Sequence, residues 1–279
     1  MKKINKDLDN SVIVDFGEEW SRFDQSNLDK SELKQNFSQY FSIFPMEELT
    51  KDKIGFDLGC GSGRWAKQIA SKVKKLNCID PSKEAINVAK RNLKDFANVS
   101  FFENEEYHNT LEGNSQDFGY CLGVLHHTSQ TKQGLEFCHK ILKKNSPFLI
   151  YLYYSFDNRP FYYRFIWKIT DYLRKIISKL PFKSKKVITD FIALVVYYPL
   201  AKISYILNKI NINSHNLPLS DYKNKSFYTM RTDSLDRFGT KLEKRYSKLE
   251  IKELLKQHGF KDILFSDKMP YWVATCRKI

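Results

Sequence analysis

FDLGCGSGRW, residues 56–65, follows a short apolar run and sets Gly59, Gly61 and Gly63 at alternate positions. A glycine loop between a strand and a helix offers backbone N–H groups at a helix N-terminus and lets a ligand come close to the main chain, so the stretch reads as a nucleotide-type binding loop. The dinucleotide fingerprint G-x-G-x-x-G needs a glycine at position 64, where Arg64 stands. No Gly-Lys-Ser/Thr follows either, which removes the phosphate loop of nucleoside triphosphatases.

Working outward, the pattern predicts strand and helix in alternation. KIGFDLG (53–59) is a strand ending at Asp57, and GRWAKQIASKVKK continues as a helix with Trp65, Ile69 and Val73 inward. LNCID (76–80) is a second buried strand; Pro81 and Ser82 open a helix with Ser82 as N-cap and Ala85, Ile86, Ala89 and Leu93 inward. VSFFE (99–103), DFGYCLGVL (117–125) and PFLIYLYY (147–154) are strands three to five, with a helix around GLEFCHKILKK between the last two. Such alternation predicts an α/β protein with a doubly wound parallel sheet.

The rhythm stops after Tyr154 and resumes at SKLEIKELLKQHGF (247–260), a helix closed by Gly259, followed by KDILFSD and YWVATCRK as two final strands. The predicted organisation is therefore an N-terminal helical lid segment (1–52), a core of 53–155 and 247–279, and a helical insertion of 156–246. The insertion holds 18 Lys and Arg against 7 Asp and Glu, so +11 of the chain's net +14 sits there, together with 17 of its 41 Phe, Tyr and Trp residues. A basic and aromatic segment suits an anionic or amphipathic partner, a lipid headgroup region or nucleic acid; a merely solvated lysine-rich surface is the plainer alternative. Residues 191–207 are apolar but only 17 long and contain Pro199 and Lys202, which predicts a buried or interfacial helix pair rather than a membrane span.

The five cysteines are scattered, with no Cys-x-x-Cys pair and no Cys/His cluster at ligand spacing, so reduced thiols in a cytosolic protein and no metal site are expected. MKKINKDLDNS has no apolar run behind its basic residues, and no secretory signal is expected.

Asp57-Leu58-Gly59-Cys60-Gly61-Ser62-Gly63 resembles the first motif of class I S-adenosylmethionine-dependent methyltransferases, an acidic residue followed by G-x-G-x-G. Asp80 stands about twenty residues on, where that family places an acid on the cofactor's ribose hydroxyls; a carboxylate at a strand end can accept both hydrogen bonds of a vicinal diol. Residues 99–128 resemble the third and fourth motifs, with Glu105 at the place of the acid that receives the adenine amino group, and LGVLHHT is similar to small-molecule members, including quinone-biosynthesis enzymes. The resemblance covers 53–154 and the terminal helix and strands. It implies a Rossmann-like seven-stranded sheet, mostly parallel with the last strand antiparallel, and a helical cap after strand five. It further implies S-adenosyl-L-methionine as cofactor, held by Asp57, Gly59, Cys60, Gly61, Gly63, Arg64, Asp80, Pro81, Glu105, Leu122 and Gly123. Arg64 is open between a structural role and the methionine carboxylate.

His126 and His127 close strand four, where imidazole suits proton removal from an acceptor; shaping of the loop, with Thr128 or Ser129 capping the next helix, is the alternative. Trp20, Arg22 and Phe23 are lid candidates. Trp20, Tyr153, Tyr154, Tyr228 and Arg231 are the acceptor-side candidates, although Tyr228, Arg231, Asp233, Asp236 and Arg237 also read as a salt-bridged structural cluster. The expected activity is methyl transfer to a small-molecule or lipid-like acceptor, cytoplasmic with peripheral membrane contact in view. An RNA methyltransferase is the competing reading, weakened because LGVLHH replaces the N-P-P-Y type tetrad, and a non-catalytic cofactor-binding protein is the third.

Overall fold

The computed structural model describes residues 2–25, 28–103 and 110–279, with side chains from Asn10 onward. The chain divides into two compact units, one of Met1–Asp24, Lys34–Tyr154 and Leu242–Ile279, the other of Gln25–Leu33 and Ser155–Lys241. Residues 242–246, grouped with the insertion because the strand–helix alternation resumes only at 247, thus belong to the core unit. Their backbone bonds explain this: Lys244 N–H donates to the His126 carbonyl at 2.9 Å and Tyr246 N–H to the Tyr153 carbonyl at 2.8 Å.

The first unit is built on a seven-stranded sheet in the order β3-β2-β1-β4-β5-β7-β6. β1 (Ile54–Leu58), β2 (Lys75–Asp80), β3 (Val99–Glu103), β4 (Phe118–Leu122) and β5 (Pro147–Tyr151) are parallel. β7 (Ala274–Lys278) runs antiparallel between β5 and β6 (Phe260–Phe265). The sheet is the Rossmann-like, mostly parallel one expected, with the antiparallel last strand. Its order reverses between β1 and β4, and a crevice opens at the carboxyl ends of strands at such a switch point.

In chain order the helices are α1 (Lys2–Arg22), α2 (Lys30–Tyr40), α3 (Ala66–Ile69), α4 (Lys83–Asn92), α5 (Thr131–Ile141), α6 (Phe161–Ile177), α7 (Phe182–Ile192), α8 (Tyr198–Lys209), α9 (Phe227–Gly239) and α10 (Lys248–Gln257). The helix expected over 63–75 is shorter than its periodicity suggests. α3 tightens into a 3-10 turn at Ala70–Lys72, and the Asn98 side-chain amide donates to the carbonyls of Ala70 and Val73, which ends it. Trp65, Ile69 and Val73 are nonetheless buried as the spacing requires. Ser82 caps α4, its hydroxyl accepting from Ala85 N–H, and Ala85, Ile86, Ala89 and Leu93 all face the core. Ser247 and Glu250 form a full capping box on α10.

The second unit is helical. Ile177, Ala193, Tyr197, Ala201, Met230 and Phe238 make its core. Its N-terminal piece is tied in by Glu32, which is buried and accepts from Ser226 N–H at 3.1 Å and the Thr229 hydroxyl at 2.6 Å, placing a carboxylate at the N-terminus of α9. α7 and α8 form one run through a π turn at Ala193–Tyr197. Pro199 lacks an N–H and its ring crowds the carbonyl four residues back, and the wider turn before it lets the helix continue. Phe182–Lys209, 28 residues, is thereby long and apolar enough to cross a membrane.

Candidate active site

The crevice between β1 and β4 is lined first by the loop after β1. Gly59, Gly61 and Gly63 have φ of +77°, +53° and +76°, conformations in which a side chain is strained. The loop is pinned to β2: Gly59 and Cys60 N–H donate to the Ile79 carbonyl at 2.7 and 3.0 Å, and Gly61 N–H donates to Asp80 Oδ2 at 2.9 Å. Asp80 Oδ1 accepts from Ser82 N–H at 2.9 Å. Both oxygens of Asp80 are therefore oriented by backbone, and a carboxylate has about four acceptor positions, so room remains for a ligand's hydroxyls.

α1 lies along the loop and α4. A Cβ at Gly61 would fall 2.8 Å from the Trp20 ring, and one at Gly17 would fall 2.5 Å from Ser82 Oγ. Arg64 sits over Trp65 at 4.4 Å and Trp20 at 5.6 Å, and the Asn92 amide donates to the carbonyls of Asp24 and Ser62. Phe16 reaches His127, with ring centroids 5.0 Å apart. Behind the loop, Phe37, Tyr40 and Phe41 pack on Trp65, Tyr120 and Tyr151.

Two acids share this buried ground. Burial pushes the Asp57 carboxyl up to about 8; the Tyr120 hydroxyl nearby pulls the other way and the negative charge of Asp80 adds to the rise. Asp57 Oδ2 is buried without a well-formed hydrogen bond. Burial also raises Asp80, to about 6, against the lowering effect of the Ser82 and Gly61 N–H groups. Contact with the Cys78 thiol, then burial, holds the Cys60 thiol well above its ordinary value, so it is no nucleophile at neutral pH.

At the other wall, β4 ends at Leu122, Gly123 turns with φ +78°, and a Cβ there would meet no atom within 4 Å. Leu125–His127 form a 3-10 turn in which all three residues are buried. His127 Nδ1 lies 2.7 Å from the Leu242 carbonyl, which only an N–H can satisfy, so in the neutral ring the lone pair would lie on Nε2. His126 stacks on Tyr153 at 3.8 Å; neither of its ring nitrogens has a hydrogen-bond partner, and burial, helped by His127 and Arg245, holds it well below the ordinary imidazole range. Arg245 pairs with Glu243 at 2.7 Å, donates to the Tyr154 carbonyl and lies over the Tyr153 ring.

Residues 56–145 match the family model described as a methyltransferase domain. Over those residues the core is similar to methyltransferase domains. Among solved structures, a protein provisionally named a methyltransferase from Bacillus halodurans shares the fold at TM-score 0.50 and 12% identity, over 82% of this chain and 70% of that one. A SAM-dependent methyltransferase from Aquifex aeolicus aligns at 0.46 and 15%, covering 90% and 98%. A phosphoethanolamine N-methyltransferase from Haemonchus contortus, in complex with S-adenosyl-L-methionine, aligns at 0.47 and 16%, covering 85% of this chain and 39% of that one. No curated protein matches in sequence.

The residues present fit the methyltransferase cofactor. Asp80 has both oxygens oriented by backbone N–H groups, Asp57 Oδ2 is buried without a well-formed hydrogen bond, and Gly123 leaves space beside the main chain. The cofactor's ammonium and sulfonium charges would favour the ionised form of both acids.

Asp57, Gly59, Cys60, Gly61, Gly63, Arg64, Asp80, Pro81, Leu122 and Gly123 gather at the ends of β1, β2 and β4. Glu105 lies outside the described residues. Trp20 faces the glycine loop, and Phe23 is buried while Arg22 is exposed. Tyr153 and Tyr154 follow β5, the first against His126 and the second buried. Tyr228 and Arg231 are in the second unit: the Tyr228 hydroxyl accepts from Gln25 N–H, and Arg231 makes two 2.9 Å bonds to Asp190. The guanidinium of Arg231 is thus engaged in an ion pair, the structural alternative for that cluster. Sequence reasoning missed Phe16, Tyr120, Leu242, Glu243 and Arg245. Tyr120 was legible in principle, two residues before Leu122 on the same strand face; the others depend on chain returns that no local pattern marks.

Proposed function

We propose that this methyltransferase moves the methyl group of S-adenosyl-L-methionine to the oxygen, nitrogen or carbon of a small, apolar or lipid-like acceptor, with His127 as general base. The cofactor supplies an electrophilic methyl carbon on a cationic sulfur. An acceptor's nucleophilic electron pair would take that methyl group with the carbon–sulfur bond's electrons left on sulfur, and His127 Nε2 would receive the acceptor's proton. The observation that carries this reading is the 2.7 Å contact of His127 Nδ1 with the Leu242 carbonyl, which fixes the tautomer and aims one basic nitrogen. The remaining work is alignment and exclusion of water, for which α1 lies across the glycine loop with Phe16 at His127. Incubating the protein with methyl-labelled cofactor and fractionated cell extract tests it. Label in small organic-soluble products supports the proposal, and label only in RNA contradicts it.

A further inference from the structure

The second unit exposes apolar side chains in an ordered stripe. On α6, Phe161, Phe165, Ile169, Tyr172 and Ile176 recur every three or four residues and are solvent-facing, Phe161 at 85% and Phe165 at 63% exposure. The opposite face carries the buried Arg174 and Ile177. Arg164, Lys168 and Lys175 each precede a position of the same repeat and are exposed, Lys175 also pairing with Asp171 at 2.9 Å, and Lys179 is exposed just past the helix end, so basic residues border the apolar stripe.

The α7–α8 run repeats the arrangement. Lys185, Thr189, Ala193, Tyr197, Ala201 and Ser204 are its buried face, while Val187 (69%), Phe191 (62%), Leu194, Tyr198 and Ile206 face solvent. Lysines stand at both ends: Lys183 is exposed at the start, Lys202 lies over the rings of Tyr198 and Tyr205, and Lys209 lies over Tyr205. Contiguous apolar stripes of this kind are not left to water without a use.

We infer that α6 and the α7–α8 run form a docking face for an anionic lipid bilayer, each helix lying in the interface with its apolar stripe in the acyl boundary and its cations at the headgroup phosphates. The charge decides for this occupant. A protein interface core is depleted in lysine, whereas here lysines border the apolar stripes, where their methylene stems can lie on the hydrocarbon while the ammonium reaches outward. Single-stranded RNA stacks its bases on aromatic rings, whereas these stripes also expose the aliphatic Ile169, Ile176, Val187, Leu194 and Ile206, which suit acyl chains and not bases. A spanning arrangement is disfavoured by the opposite face of the run, where Asp190 is paired with both Lys186 and Arg231 and would enter the hydrocarbon with them. None of these residues belongs to the candidate active site, so the inference stands apart from the acceptor's identity.

Co-sedimentation of the full chain with vesicles of phosphatidylcholine alone or mixed with phosphatidylglycerol tests it. Binding is expected to the mixed vesicles, to weaken as salt rises, and to fall roughly tenfold or more in Lys168→Glu/Lys175→Glu, since each basic residue near the surface contributes about 1 kcal/mol. Phe161→Ser/Phe165→Ser/Phe191→Ser should bind no vesicle while keeping the natural chain's circular dichroism and cofactor affinity. Equal binding to both vesicle types, release only by detergent, or a stable dimer in solution that the triple variant dissociates would each overturn the inference.

Discussion

Asp80 Oδ2 accepts a 2.9 Å hydrogen bond from the N–H of Gly61, so the acid that ends β2 holds the shape of the loop that follows β1. One side chain thereby serves two purposes, orienting the glycine loop and presenting acceptor positions to a ligand. Asp80→Ala removes both. Cofactor affinity measured by calorimetry is expected to fall roughly ten- to a hundredfold, the loss of one or two hydrogen bonds to a charged group. Unchanged affinity would remove Asp80 from the site.

The raised acids make the ligand-free protein sensitive to alkali. A carboxyl whose folded value lies above its unfolded value near 3.8 stabilises fully below the latter and loses that contribution as pH rises through the folded value, about 6 for Asp80 and about 8 for Asp57. Melting temperature should therefore decline between about pH 4 and pH 8, and Asp57→Asn should flatten the upper part of that decline. A parallel decline in the variant would show that Asp57 is not its source.

The two histidines are expected to separate. His126 is buried with neither ring nitrogen hydrogen-bonded, so His126→Phe, apolar and of similar shape, should match or exceed the natural chain in thermal stability. His127→Asn should keep cofactor affinity and lower kcat roughly a hundredfold or more on an acceptor that must lose a proton. If His127→Asn leaves kcat untouched, the imidazole only shapes the loop.

Arg231 and Asp190 should behave as structure. Arg231→Ala is expected to cost about 1 to 2 kcal/mol, between the exposed and buried cases for an ion pair, with Asp190→Ala adding little to the double variant. Urea melts of the four chains of the cycle give the coupling directly. Full additivity would mean that the pair contributes nothing.

The core was legible because a parallel sheet writes itself locally. Buried strands are short apolar runs, Ser82 and Ser247 announce their helices, and the glycines mark the one loop that must turn with positive φ. The grouping of Asp57, Gly61 and Asp80 was legible for the same reason, since they lie at or just after strand ends. The surroundings of His127 and Tyr154 were not. Arg245 reaches Tyr154 across ninety-one positions and His127 meets Leu242 across one hundred and fifteen, and neither contact leaves a periodic trace. The basic, aromatic character of the insertion was legible as suiting a lipid headgroup region or nucleic acid, but the exposed stripes of α6 and α7–α8 were not, because an amphipathic pattern names two faces without saying which one is turned inward.

Calorimetric titration of S-adenosyl-L-methionine into the natural chain and into Gly61→Arg is the most direct test of the cofactor assignment on which the account rests. Saturable one-to-one binding is predicted for the natural chain and none for Gly61→Arg, whose side chain would enter the space between the loop and Trp20, with cooperative melting retained to show an intact core. Binding unchanged by the arginine, or absent from the natural chain, would contradict it.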